Sequence, residues 1–382
     1  MTGHFEIRAR DLEGRSQART GILRTLHGEV ETPAFMPVGT RGSVKGVGPD
    51  DLERLGAEII LCNAFHLMLR PGAEVVNSLG GIHRFTGWKG PVLTDSGGFQ
   101  IYSLKSLRKI GRDGAVFKSP YDGASFFISP EKAVEAQSLL GVDVMMCLDE
   151  CPPYPETEEG AKRSMDLTLE WAERSKKAWD PSTGGLLFGI SQGSFHPELR
   201  LRSALDLKSL DLPGYAAGGL ALGEPRSLRL EAVESSFSGL PEDRPRYLMG
   251  VGTPGDILDG VRLGADLFDC VIPTRNARNG QLFTKTGRLN IQNSRHRKDP
   301  LPPEEGCGCL ACQNFSRAYL AHLHRNREPL FSRLASIHNL HFYFQLMRGC
   351  RKSLKEGTFM EYYREFFDTY EADRAGKEDP SP

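Results

Sequence analysis

The chain has 382 residues, 39% hydrophobic and 25% charged, with 48 basic and 49 acidic side chains and a formal net charge of −1. That balance leaves room for a large core and excludes a disordered, collagen-like or globally polycationic chain. The opening MTGHFEIRARD has no apolar segment behind its charges and no run approaches the roughly 18 apolar residues of a membrane span, so a cytoplasmic location with no membrane partner is expected.

Residues 5–31 alternate and carry turn signals, which predicts a small antiparallel lead-in over 1–31. A short apolar run ending in Gly, Asp, Asn or Gln then recurs eight times: 32–40, 57–66, 91–98, 142–150, 186–193, 215–223, 246–254 and 265–273. Near-continuous apolar runs suit parallel strands covered on both faces. Helical patterns lie between most of them. GPDDLERLG (48–56) has acids in its first turn and ends on Gly56. SPEKAVEAQSLLG (129–141) opens with Ser129 as N-cap and Pro130 and ends on Gly141. TPGDILDGVRLG (253–264) repeats that pattern with Thr253 and Gly264. Eight strand–helix units predict an α/β fold of the (β/α)8 TIM-barrel type over 32–282. An open doubly wound sheet fits the periodicity, but no phosphate-binding glycine fingerprint follows the first strand. VFKSPYDGASFFI predicts a hairpin about Asp122-Gly123, inserted near 113–128 after the third strand. Residues 283–365 read as a further subdomain with a cysteine cluster and long closing helices, and 366–382 as a frayed tail.

In such a barrel catalytic groups sit where strands run into the following loops. Those positions carry Asn63, Asp95, Asp149, Gln192, Gly219, Glu224 and Asp269. A lone acid there is usually a helix cap. Three aspartates on strands 3, 4 and 8 of one ring must share a mouth, where burial and like charge drive their pKa values apart. Paired carboxylates at that face suit a retaining glycosyl transfer, in which one attacks the anomeric carbon and the other moves protons. In DSGGFQ (95–100), Gly97 and Gly98 allow close backbone approach to a ligand and Phe99 offers a flat face. LDEC (148–151) sets an acid beside the Cys151 thiol, and GGLALGE (218–224) offers amides to a planar base.

Cys307, Cys309 and Cys312 are spaced C-x-C-x2-C, the pattern of a metal site in a reducing compartment. Three thiolates need a fourth ligand to close a tetrahedral structural zinc site. His338 and His341 compete for that role, with His322 and His324 as alternatives on a helix. From Arg275 to Lys298 seven basic residues (Arg275, Arg278, Lys285, Arg288, Arg295, Arg297 and Lys298) run without an Asp or Glu, which suits a nucleic-acid backbone delivered to the barrel mouth. Single-stranded RNA fits better than duplex DNA, because a reacting base must be splayed out.

DSGGFQ, LDECPPYP, GISQG, GGLALGE, YLMGVGTP, FDCVIPTRNARNG and C-x-C-x2-C…HNLHF, in that order over roughly residues 5–365, resemble the bacterial-type tRNA-guanine transglycosylases, also called queuine tRNA-ribosyltransferases. The resemblance implies a zinc-bearing barrel working as a homodimer without an organic cofactor. Its reaction would exchange guanine at the wobble position of tRNAs with GUN anticodons for a 7-deazaguanine precursor of queuosine. It implies Asp269 as nucleophile on C1′ of the ribose and Asp95 as acid/base. Asn63, Asp149, Cys151, Gln192 and Gly219 would belong to the base pocket, with Leu220, Leu222 and Glu224 around the 7-substituent and Phe99 and Met249 sandwiching the ring. Arg275, Arg278 and Lys285 would hold RNA, and Cys307, Cys309, Cys312 and His338 the zinc. Ser191, Ser194, Cys62 and Leu222 depart from the family pattern without removing a catalytic group. Cys151 and the bulky Leu222 favour the small aminomethyl group of preQ1 over the cyclopentenediol of queuine. No extra RNA-binding domain of the archaeal kind is expected. A barrel hydrolase using water, or a non-catalytic RNA-binding partner subunit, are the rival readings. The basic stretch and base-pocket motifs argue against the first and the intact Asp95 and Asp269 against the second.

Overall fold

Three antiparallel strands, Phe5–Arg10, Arg19–Thr25 and Gly28–Thr32, form the lead-in sheet. The structure, a computed structural model, describes residues 4–370 apart from 13 and 104–107. Among the described residues, eight strands build one parallel sheet: Ala34–Pro37, Ile60–Asn63, Val92–Asp95, Val144–Met146, Leu186–Ser191, Gly214–Ala217, Arg246–Leu248 and Leu267–Cys270. Seven fall inside the apolar runs, and Gly214–Ala217 begins one residue ahead of the run 215–223. The eighth strand pairs with the first along Leu267–Ala34 to Cys270–Pro37, and a bridge from Val38 to Leu61 joins the first to the second. The ring is thereby closed, as a (β/α)8 barrel.

Period-2 alternation decides which side chains face the inside. Leu61, Leu93, Phe188, Ile190, Tyr247 and Leu267 share the inner core, while Ile60, Cys62, Leu187, Leu248 and Phe268 pack outward against helices. Two residues beyond an inward leucine the next inward position is polar: Asn63 after Leu61, Asp95 after Leu93 and Asp269 after Leu267. The outward Thr94 between them donates instead to Gln137 of a surrounding helix, at 3.0 Å.

The helices start and stop where the caps demand. Ser129 accepts from the Lys132 amide to open Pro130–Leu140, which Gly141 closes in the left-handed region at φ 69°. Thr253 opens Pro254–Arg262 in the same way. After the eighth strand comes a short helix, Ile272–Arg278, then a hairpin, Gln281–Thr284 with Gly287–Asn290, then the cysteine cluster. The 28-residue helix Pro329–Glu356 then returns to the barrel and packs on the first strand and on Pro49–Leu55. The guanidinium of Arg333 is bidentate on Asp51 there, at 3.0 and 2.8 Å.

Two expectations need revision. The insertion after the third strand is a three-stranded sheet, Arg108–Gly111, Gly114–Lys118 and Ser125–Ile128, with the expected turn about Asp122-Gly123 closing its second hairpin. Its first strand, RKIG, is too short and too basic to register as an apolar run. The frayed tail expected from 366 begins later at the earliest: residues 366–370 continue the helix Phe359–Tyr370, with Phe366 stacked on Tyr370, and 371–382 lie outside the described residues. No helix among the described residues is long and apolar enough to cross a membrane.

Candidate active site

The inward polar positions open into a cavity of about 500 Å3 at the C-terminal end of the barrel. Asn63, Asp95, Phe99, Asp149, Cys151, Gly219, Leu220, Leu222, Met249, Asp269 and Arg275 all line it. Eleven of the residues singled out by sequence are therefore brought together from six strand ends.

The three aspartates differ in what holds them. Asp95 accepts from the Asn63 carboxamide and, at 3.0 Å, from the Ala64 amide. Burial pushes its carboxyl up to about 7, against the hydrogen bonds of Asn63, Ala64 and Gln100 and with the Asp269 charge adding to the rise. Asp149 accepts from Ser96 Oγ at 2.9 Å and Gln192 Nε2 at 2.8 Å, and burial raises its pKa as well. Asp269 is half-buried, and its Oδ1 takes both available donors, Tyr247 Oη and the Gly250 amide, each at 2.7 Å. Among the described residues Oδ2 is left without a donor. Burial raises this carboxyl too, while Tyr247 and Gly250 oppose the rise. The result is one carboxyl poised near neutral pH and a second, tethered by one oxygen only, in the same cavity. That pair can divide proton transfer from nucleophilic attack.

Gln192 and Glu224 stand behind the wall. The Gln192 side chain is fully buried, and a Cβ on Gly219 would fall 2.4 Å from its Oε1, so glycine is needed there both for space and for its φ of 67°. No donor among the described residues reaches that Oε1. Glu224 accepts from the amides of Ala221 at 2.8 Å and Leu222 at 2.7 Å and pairs with Arg229 at 3.0 Å. It braces the loop that carries Leu222 and does not itself face the cavity. Phe99 is 53% exposed at the mouth and is not a buried turn residue. Gly98 is glycine for a reason internal to the protein: a Cβ would meet Asp149 Oδ1 at 2.4 Å.

Several residues went unassigned in the sequence. Tyr247 lies within the YLMGVGTP motif, but only the alternation of its strand aims its hydroxyl at Asp269. Ser96 orients Asp149. Arg200, wholly buried, donates to the carbonyls of Ser194, Ser191 and Gly218 and so ties the ends of the fifth and sixth strands together. Burial lowers its pKa to about 10. Nothing in the helix sequence PELRLRSALDLK marks it.

The basic residues separate. Arg275 stands at the mouth, whereas Arg278 donates to the Thr274 carbonyl at 2.8 Å and lines another hollow with His324, Arg325 and Arg327. Lys285 lies on a third surface, beside Glu304 and Cys307.

Cys307, Cys309, Cys312 and His338 converge. The three sulfurs lie 3.9, 3.5 and 3.2 Å from His338 Nδ1. Tetrahedral zinc with ordinary Zn–S and Zn–N bonds sets such edges at roughly 3.6 Å. The His338 Nε2 donates to the Phe283 carbonyl at 2.7 Å, which fixes the tautomer that presents Nδ1 to a metal. The residues fit a closed metal site, and of the four candidate histidines the structure selects His338.

The model of the queuine tRNA-ribosyltransferase family matches residues 13–372. A queuine tRNA-ribosyltransferase of Nitrosomonas europaea is 52% identical over 362 residues, covering 95% of this chain and 96% of its own. That of Acidithiobacillus ferrooxidans is 50% identical over 363 residues, with the same shares covered. That of Nitratidesulfovibrio vulgaris is 50% identical over 369 residues, covering 96% and 97%.

Proposed function

Because the chain belongs to the queuine tRNA-ribosyltransferase family, we propose that it is a pentosyltransferase which replaces guanine at the wobble position of GUN-anticodon tRNAs by preQ1. The observation that carries the mechanism is the unequal tethering of Asp269: two donors on Oδ1, none from the described protein on Oδ2. Oδ2 attacks C1′ of the ribose and the bond to guanine N9 breaks, giving a ribosyl ester of Asp269. Asp95, with its carboxyl near 7, donates the proton that leaves with guanine. Guanine departs and preQ1 takes its place. Asp95 removes the N9 proton, N9 attacks C1′, and Asp269 is released as carboxylate. Two displacements retain configuration.

Asp149 recognises the base edge, held for that task by Ser96 and Gln192, and Phe99 and Met249 flank the ring. Leu222 and Cys151 both line the cavity, and the bulk of Leu222 supports the small 7-substituent of preQ1 over that of queuine. Arg275 holds the RNA at the mouth. A zinc ion on Cys307, Cys309, Cys312 and His338 would tie the segment 307–312 to the returning helix, a structural role. Elemental analysis of the purified chain should then find about one zinc per chain. We read the enzyme as cytoplasmic, because its tRNA is there, and as a homodimer, on the family resemblance.

The deciding experiment follows labelled guanine into and out of tRNA with preQ1 and queuine supplied side by side. Release of guanine against preQ1 and not queuine supports the reading. Release without incorporation makes the chain a hydrolase.

A further inference from the structure

The rim of the cavity is unevenly charged. Most candidates for base recognition, among them Asp149, Gly219 and Met249, follow strands 4 to 7, while Asn63 and Phe99 follow strands 2 and 3. The cations follow strands 8, 1 and 2: Arg275 after the eighth, Arg41 and Lys45 after the first, Arg70 after the second. The eighth strand pairs with the first, and the first bridges to the second, so these loops are neighbours around the ring.

Arg41 and Arg70 are exposed, and both guanidiniums lie over one ring, that of Tyr121, with Cζ 5.3 and 4.7 Å from its centroid. Tyr121 belongs to the turn between the second and third strands of the inserted sheet. Its hydroxyl is 3.0 Å from Nδ1 of His66, and His66 lines the cavity. The inserted sheet, packed on Phe65 through Phe117, thereby also reaches the mouth through the Tyr121 ring. Among the described residues neither guanidinium has a carboxylate within ion-pair distance. The adjacent Asp122 is turned into its own loop, accepting from the Ala124 amide at 3.1 Å, and feels Arg70 through charge without pairing with it. The positive field reaches the cavity: after burial, the charges of Arg41 and Lys45 also lower the pKa of His66.

Two like charges gathered on one ring repel each other. An exposed ring face offsets that repulsion only in part, and an anion between the guanidiniums completes the arrangement through charge-assisted hydrogen bonds. We propose that Arg41 and Arg70, oriented by Tyr121, form a phosphate-binding subsite for the RNA backbone next to the nucleotide in the cavity, on the side away from the base-recognition wall. The proposal rests on the tRNA reading above and extends it. The backbone would run along the loops of strands 8, 1 and 2 while the base enters toward strands 4 to 7. Tyr121 is a positioning residue, and the guanidiniums make the contact.

The test is tRNA binding by the Arg41→Ala/Arg70→Ala double variant over a series of salt concentrations. Loss of two phosphate contacts should weaken binding by about tenfold or more and lower the slope of log affinity against log salt by about 1–2. The KM for the free base should stay at the wild-type value. Tyr121→Ala should weaken binding in the wild-type background yet add little to the double variant, whereas Tyr121→Phe, which keeps the ring, should bind almost as wild type. Both arginines are exposed, so the melting temperature should hold. Should it fall, Arg41→Lys/Arg70→Lys, which keeps the charges, must restore the salt slope. Wild-type affinity and salt slope in the alanine double variant overturn the subsite alone. A wild-type chain that binds no tRNA overturns the reading on which it rests.

Discussion

The two ends of the barrel treat a buried aspartate in opposite ways, and two strands carry one of each kind. Asp266 enters the eighth strand at the N-terminal end, and Asp269 sits three residues on, facing the C-terminal mouth. Asp266 is wholly buried and bidentate with the equally buried Arg19, at 3.0 and 2.6 Å, and accepts the Arg246 amide at 2.7 Å. Asp269 has only neutral donors. The fourth strand repeats the contrast. Burial pushes the carboxyl of Asp143, before it, upward, but His83, the Val92 amide and His27 outweigh that and hold it below the usual range. Asp149, beyond the strand, is raised. A carboxylate whose partners hold its pKa down or pair with it as an ion stabilises the fold, and one raised by burial among neutral donors keeps its charge and its proton available for chemistry.

Exchanging roles within the eighth strand is the sharpest way to break this contrast. Asp269→Asn should lower guanine exchange by at least about 10^3-fold and abolish trapping of a covalent RNA adduct, while tRNA binding and urea stability persist. A variant that still exchanges at a normal rate removes Asp269 from the role of nucleophile. Asp266→Ala should do the reverse. It strands a buried guanidinium, so urea unfolding should show a loss of about 3–5 kcal/mol. Unaltered stability would mean that the Arg19 pair does not anchor the barrel.

Much of this contrast is legible in the sequence, and for a physical reason. The acids and glycines interrupt apolar runs, so the strand ends and their convergence on one mouth follow from period and punctuation. The residues that tune the acids do not announce themselves. Tyr247 acts on Asp269 from the neighbouring strand and Ser96 across the gap to Asp149, while Arg200, on the helix after the fifth strand, ties strand ends together. Gly98 reads as an approach to a ligand, although the atom it avoids is on Asp149. Spacing names the cysteines, but choosing among four histidines requires the phase of the long helix: His338 is buried on it and His341, three residues on, is not. Arg278 and Lys285 are near Arg275 in sequence, yet a short helix and a hairpin carry them to other surfaces.

Asp95 offers a test in which function and stability move apart. Its folded pKa of about 7 lies above the ordinary carboxyl value, so its contribution to stability is full at low pH and is lost as pH rises through about 7. The difference corresponds to up to about 4 kcal/mol. Asp95→Asn should therefore be inactive, should unfold at higher urea than wild type at pH 8, and should lose that advantage near pH 4. An advantage that is the same at both pH values would show that the carboxyl is not raised in the folded protein.

The smallest effect should come from Tyr247→Phe, which removes one of the two donors on Asp269 Oδ1 and leaves the Gly250 amide. A hydrogen bond to the carboxylate favours the charged form, so its loss raises the pKa of Asp269. The nucleophilic form then populates at higher pH, and the acid limb of the exchange rate should move upward. The rate at its optimum should fall by about tenfold, roughly 1.4 kcal/mol, within the range for a hydrogen bond to a charged group. Asp95 and Asp269 feel each other's charge, so the limb reports the pair and its shift must be read against wild type. A tyrosine that merely filled space would lower the rate equally at every pH, and a profile that falls without shifting would reduce Tyr247 to packing.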